Sequence, residues 1–397
     1  MKIIAVESFA VRKPPSKGPA YWGKRTWGDS AERKNPEISA EYPSPVRRKY
    51  IYSETIDTTI VRVTTDEGSV GWGEAKAPVA PEVTKAIIDH LLAPVVVGAD
   101  PRDVVLLWER MYAGMRVRGH DTGFYLEAIS GIDIALWDLA GQAARIPIHT
   151  LLGGSFRNPC RVYASGIPAL PRDANEQQRE ELANDARAIK SQGFSALKVA
   201  LGRGVEGDIE SLRIIRSAVG DEFLLFADAA GVYDVGQALR IGRVLEDLNY
   251  GFFEMPIAPE WVEGYARLSQ ELDIPLALDS LANRYQTKDF LIRGALGVVQ
   301  PDVCRAGGVT ECRKIAELAD TFGAAFAPHV SIGSSVHFIA SAHLAAAMPN
   351  TLIAEYWFGD NPLRDELSEE PLRLENGSLH VPLTPGLGVR IRSEALV

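Results

Sequence analysis

A row of short apolar runs in the second half of the chain ends repeatedly on an acid: Phe226-Ala-Asp228, Phe253-Glu254-Met-Pro256, Ala277-Leu-Asp279 and Gln300-Pro-Asp302. Successive acids lie 26, 25 and 23 residues apart, which is what one strand, one helix and two turns consume. The series continues to His329 in Ala327-Pro-His329 and to Glu355 in Ile353-Ala-Glu355. A barrel of parallel strands sends all its C-terminal strand ends to one mouth. These side chains are therefore expected to converge there although they lie far apart in the chain. Carboxylates converging at a barrel mouth point to a divalent metal.

Eight runs in all alternate with helical stretches from Arg161 onward: Val162 to Ser165, Ala196 to Val199, Leu224 to Asp228, Phe252 to Glu254, Leu276 to Asp279, Val298 to Asp302, Ala324 to His329 and Leu352 to Glu355. No clear helix follows the eighth, so the expectation is a (β/α)7β-type TIM barrel over residues 155 to 369. Ahead of it, strand patterns at 3 to 11, 57 to 64 and 69 to 75, with Asp66-Glu67-Gly68 as a hairpin turn, precede helical segments. In the clearest of these, Ile132, Ala135, Leu136 and Leu139 recur with helical spacing. Residues 1 to 154 thus read as an α+β domain. Residues 370 to 397, with an Asn376-Gly377 hairpin, are expected to return to it. The insert from 12 to 50 holds six prolines; loops of that length are functional lids or disordered. Trp22 and Arg25 in it are candidate substrate contacts, Arg25 for a distal carboxylate.

At 397 residues the chain exceeds one ordinary core. Its 42 Lys plus Arg against 52 Asp plus Glu, with no basic block, argue against nucleic acid as a partner. No run approaches the roughly 18 apolar residues of a membrane span, and the charged N-terminus lacks a cleavage site; a cytoplasmic location is expected. The three cysteines lack metal-site spacing and read as reduced structural residues.

Asp228, Glu254 and Asp279 on successive strands are placed to supply three oxygens to one octahedral Mg2+. Any one of them alone is equally well a helix cap or turn acid; three in register are not. Lys198, at the end of the second run, is either a base or a cation facing a carboxylate substrate and its enolate, against the commoner case of a solvated lysine. His329 and Asp302 end adjacent runs, so the carboxylate is expected to orient the ring and stabilise its protonated form. The other six histidines read as structural: His90, His120 and His149 in the first domain, His337 and His343 in the helix after the seventh run, and His380 in the tail.

The order Lys198, Asp228, Glu254, Asp279, Asp302, His329, Glu355, preceded by Ser130-Gly-Ile-Asp-Ile-Ala-Leu-Trp-Asp138, resembles the mandelate racemase subgroup of the enolase superfamily over essentially the whole chain. The resemblance implies a capping domain on a modified TIM barrel. It implies Mg2+ on the three carboxylates, a His329–Asp302 dyad, a hydrogen bond from Glu355 to the substrate carboxylate, and a homo-oligomer. That role for Glu355 needs a protonated acid with a raised pKa. Three positions depart from the family pattern: Ala200 replaces a second lysine, Ala230 an asparagine and Met255 an acid. Loss of the lysine removes the base on the face opposite His329.

The reading is a Mg2+-dependent dehydratase of a small-molecule sugar acid, with His329 removing the α-proton and the β-hydroxyl leaving to give a 2-keto-3-deoxy acid. The alternatives are racemisation, epimerisation or lactone cycloisomerisation through the same enolate, and an inactive metal-binding barrel.

Overall fold

The computed structural model describes residues 1–16, 53, 55–171 and 173–396. Trp22 and Arg25, with most of the 12-to-50 insert, lie outside the described residues. The chain opens with an antiparallel sheet, β1 (Ile3–Lys13), β2 (Ile56–Thr65) and β3 (Val70–Ala75), in sequence order. Helices Val104–Arg116 and Phe124–Ala144 follow.

Periodicity alone makes Phe124–Ala144 an amphipathic helix, yet residues 125 to 141 are buried on every side. One side lies on the first sheet, where a Cβ on Gly73 would collide with the Gly131 carbonyl. The other side meets the barrel through polar stitches. Asp133 accepts from Thr310 N–H at 3.0 Å and Thr310 Oγ1 at 2.6 Å, Ser130 Oγ accepts from Gly307 N–H at 2.9 Å, and Trp137 Nε1 donates to Thr310 Oγ1 at 2.9 Å. Ser130, Asp133 and Trp137, buried in the helix, are thereby partnered, as burial demands. The Ser130–Asp138 segment and the Gly307-Gly308 turn are the two faces of one junction.

The barrel strands are β4 (Cys160–Pro168), β5 (Ala196–Ala200), β6 (Leu224–Asp228), β7 (Phe253–Glu254), β8 (Leu276–Leu278), β9 (Val298–Val299), β10 (Ala325–Phe326) and β11 (Ala354–Trp357). They pair in parallel in chain order from β4 to β10, and β11 pairs with β4. The seam between β10 and β11 is a single bridge, Phe326 to Thr351, instead of a ladder. Helices follow the first seven strands, and β11 is followed only by the short Pro362–Glu366. An inner layer of Tyr163, Ala196, Phe226, Phe252, Ala277, Val298, Ala327 and Ile353 fills the barrel, with Phe226 and Phe252 stacked at 4.0 Å between ring centroids.

The Asn376-Gly377 hairpin pairs with β4 of the barrel, so it does not itself lie on the first domain. The contact with that domain comes later, where Leu387 N–H donates to Asp138 at 2.8 Å and Gly386 bonds Ile146 and Ile148. The three cysteines are buried and unpaired. No helix among the described residues is long and apolar enough to cross a membrane.

At this junction His343 Nε2 donates to the Leu387 carbonyl at 3.0 Å, which leaves Nδ1 as an acceptor for His149 Nδ1–H at 3.0 Å. The His343 ring must then be neutral, and burial pushes it down to about 3 and lowers His149 as well. A histidine whose folded pKa is depressed contributes stability that is present above its unfolded pKa of about 6.5 and is lost as pH falls toward the folded value. Wild-type stability should therefore fall below pH 6.5 more steeply than that of His343→Gln, by up to about 1.4 kcal/mol per pH unit. Denaturant titrations of the two proteins from pH 7 to 4 measure the difference, and parallel pH curves would refute it.

Candidate active site

Every residue of the barrel's inner layer stands two positions before a residue at the mouth. Tyr163, Ala196, Phe226, Phe252, Ala277, Val298, Ala327 and Ile353 precede Ser165, Lys198, Asp228, Glu254, Asp279, Gln300, His329 and Glu355. Side chains alternate across a strand, so the register that buries the lower residue inside the barrel also aims the upper one into the mouth. Asp302 continues the same parity beyond Gln300. The expected residues Lys198, Asp228, Asp279, His329 and Glu355 line one cavity of about 450 Å³, and Glu254 is fully buried next to it, against Lys198. Asp302 sits behind it against His329.

Lys198 is the hub of one half. Its Nζ lies 2.8 Å from Glu254 Oε2, 3.1 Å from Glu355 Oε1 and 3.5 Å from Asp228 Oδ2, above the Tyr163 ring at 5.4 Å from its centroid. Burial disfavours its charge, but Glu254 and Glu355 outweigh that and hold it well above the ordinary lysine value. Lys198 is thus a cation and not a free base.

The other half centres on Asp302. Its Oδ2 lies 2.9 Å from His329 Nδ1 and its Oδ1 accepts from Cys304 N–H at 2.8 Å. Burial would raise this carboxyl, but His337, Lys76 and His329 hold it well below the carboxylate range. An ionised Asp302 can only accept, so His329 Nδ1 carries a proton toward it and Nε2 faces the cavity, 3.6 Å from Asp279 and 3.8 Å from Glu355.

Glu355 departs from the expectation of a protonated acid. Burial pushes it up, yet Lys198, His329 and the Val330 N–H draw it below the usual carboxylate range. Its Oε2 accepts from Val330 and Ser331 N–H at 2.9 and 3.0 Å. With those donors it stays ionised, holding Lys198 and the loop after His329.

The donor set fits a divalent cation. Atoms of Glu254, Asp279 and His329 lie within 4.8 Å of one another, and the buried Glu254 Oε1 has no hydrogen-bond partner among the described residues. Burial first, and then neighbouring carboxylates, raises Glu254 well above its ordinary value; burial raises Asp228 to about 6 despite Lys198. Crowded carboxylates with an orphaned oxygen are what a cation would neutralise. Asp228 currently gives Oδ1 to the Ala230 N–H at 2.9 Å and Oδ2 to Lys198.

The three family departures also sit here. Ala200 opens a small cleft shared with Lys198, Asp228 and Trp357. Ala230 and Met255, with Ser331, line the cavity at positive φ of 48°, 39° and 51°. Left-handed backbone in side-chain-bearing residues is costly and gathers at functional sites.

Sequence reasoning overlooked Ser165, Gln300, His337 and Lys76. Gln300 donates to Glu254 Oε2 at 2.8 Å; it and Ser165 were within reach of the same alternation. His337, expected to be structural, has Nε2 2.9 Å from Asp302 Oδ1, outside hydrogen-bond alignment. Lys76 comes from the first domain, and no local pattern marks it.

Comparison with known proteins agrees with this architecture. Residues 39–153 match the profile of the mandelate racemase/muconate lactonizing enzyme N-terminal domain, and 181–395 that of the enolase C-terminal domain-like family. D-galactarolactone cycloisomerase of Agrobacterium fabrum is 35% identical over 85% of this chain and 89% of its own length. Arabinonate dehydratase of Saccharolobus solfataricus is 35% identical over 87% and 91%. The crystal structure of the 3,6-anhydro-D-galactonate cycloisomerase of Zobellia galactanivorans superposes with a TM-score of 0.83, at 31% identity, over 100% of this chain and 98% of that one. Members of the superfamily bind a divalent metal. With both domains matched, this chain belongs to the mandelate racemase/muconate lactonizing enzyme family of the enolase superfamily.

Proposed function

We propose that the protein is a Mg2+-dependent dehydratase that takes the α-proton from a sugar acid and expels its β-hydroxyl as water, leaving a 2-keto-3-deoxy acid. The observation that carries this reading is the pairing of one oriented base, His329 on Asp302, with a fixed cation, Lys198, across a carboxylate-lined cavity. Mg2+ on Asp228, Glu254 and Asp279 would polarise the substrate carboxylate and offset charge that develops on it.

His329 Nε2 removes the α-proton, and Lys198 faces the negative charge that builds on the carboxylate. The electron pair left on the α-carbon forms the double bond as the β-carbon–oxygen bond breaks. The departing hydroxide takes the proton from His329 Nε2 and leaves as water, which restores the base. The resulting enol ketonises to the 2-keto acid. Glu355, ionised, keeps Lys198 and the Val330–Ser331 backbone in place instead of donating to substrate. With Ala200 where the family has a lysine, a second base for racemisation is missing from that position.

The dehydratase name of one relative supports this reading. The names of the two cycloisomerases favour a second reading, in which the same α-proton chemistry opens or forms a lactone or anhydro ring. A panel of aldonates, aldarates and their lactones, incubated with Mg2+ and followed by NMR, separates the two. Formation of 2-keto-3-deoxy acids from an open-chain acid is the expected result. Turnover of lactones or anhydro acids alone, or epimerisation, would overturn dehydration.

A further inference from the structure

Lys76 follows β3 of the first domain, yet its ammonium is buried against the barrel's His329–Asp302 pair. Its Nζ donates to the Val330 carbonyl at 2.9 Å and lies 3.4 Å from Asp302 Oδ2, the oxygen that also holds His329 Nδ1. The side chains of Lys76 and Asp302 are 3% and 1% exposed, so water screens this pair little. The backbone of Lys76 is tied to the same group: its N–H donates to the Cys304 carbonyl at 3.0 Å, and the Cys304 N–H donates to Asp302 Oδ1 at 2.8 Å. Lys76 therefore spans the loop after β9, which carries Asp302, and the loop after β10, which carries His329 and Val330.

Two residues earlier on the same strand face, Glu74 grips the far end of the second loop. It accepts from Ser334 N–H at 3.1 Å and His337 N–H at 3.0 Å, at the start of helix Ser335–Ala347. The segment from His329 to Ser334 is thus pinned at both ends by one strand of the first domain. Between the pins Ser331 holds a positive φ of 51°, a conformation that surrounding contacts must enforce.

We propose that Lys76 is a positioning residue for proton transfer: it fixes Asp302 Oδ2 and the Val330 carbonyl so that His329 Nε2 meets the substrate α-carbon. This rests on the reading of His329 as the base. Lys76 also lines the cavity, but the contacts that define its role are those to Asp302 and Val330. A residue that acts through another should lose its effect when the other is removed, which makes a double-mutant cycle the fitting test.

The experiment uses full-length enzyme in Mg2+ and whichever panel acid is turned over. Lys76→Met is expected to lower kcat about 10- to 100-fold, the range for residues that orient a functional group, with KM within about twofold and α-proton exchange with D2O falling in parallel. In the Asp302→Asn background the same change should cost less than about threefold. Lys76→Gln, which keeps a donor for the Val330 carbonyl but no charge at Asp302, should fall between wild type and Lys76→Met; it also serves if removal of the buried cation prevents folding. Wild-type kcat in both Lys76 variants, or an equal loss from Lys76→Met in the two backgrounds, would overturn the inference. If His329→Asn itself keeps turnover, the assignment of the base fails and this inference with it. An inactive His329→Asn beside a fully active Lys76→Met overturns the inference alone.

Discussion

His329→Asn should lose both turnover and exchange of the substrate α-proton with D2O, whereas Asp302→Asn should keep metal affinity and fall in kcat by about 10²- to 10⁴-fold. The first expectation follows from the proton inventory of the mouth. Lys198 is held as a cation by Glu254 and Glu355, and Glu355 is ionised but committed to Lys198 and two backbone N–H groups. That leaves Nε2 of His329 as the oriented nitrogen of the dyad facing the cavity. The second follows from the tautomer: an amide at 302 offers a donor as well as an acceptor, so Nδ1–H is no longer enforced and the charge that stabilises the imidazolium is gone. If Lys198 were the base and His329 only the acid for the leaving hydroxyl, His329→Asn would stop dehydration yet still exchange the α-proton, and Lys198→Ala would stop both. NMR of recovered substrate distinguishes the two patterns, and the second would reverse the assignment.

Glu254→Gln should abolish activity while leaving the metal-free protein as stable as wild type or more so. In the metal-free protein burial, and then Asp228, Asp279 and Glu355, hold Glu254 well above its ordinary pKa despite Lys198 at 2.8 Å, so its ionisation near neutral pH works against folding, while Glu355 and Asp228 remain to pair with Lys198 in the variant. An amide of the same shape removes that cost and can still meet Gln300. Magnesium should reverse the order. At a concentration of 100 times Kd, a ligand bound only by the native state adds about 2.7 kcal/mol, and only the wild-type protein should gain it. Thermal unfolding with and without Mg2+, together with isothermal titration of metal into both proteins, tests the pair of signs. A variant that keeps the Mg2+-dependent rise in Tm, or chelator-treated wild type at full turnover, would rule out this metal assignment.

The barrel and most of its mouth were legible in the sequence because both arise from one short-range rule. A strand that buries Phe226 or Phe252 inside a closed barrel must aim Asp228 or Glu254 into the mouth two residues later, and the 23- to 26-residue repeat brings the strands around. Ser165 and Gln300 obey the same rule and were missed only because neither is charged. Helix Phe124–Ala144 was legible as a helix but not as one buried all round, since its second partner, the turn at Gly307, is remote in sequence. The tertiary structure decided what depends on the sum of many remote charges and contacts. Glu355 carries the residue type of an acid, yet Lys198, His329 and two N–H donors from other strands fix its protonation state. Lys76 looks like any strand-end lysine until the docking of one domain on the other buries it against Asp302. Periodicity is a property of neighbours along the chain and survives in the sequence, whereas electrostatic state is a property of neighbours in space, which only the folded protein brings together.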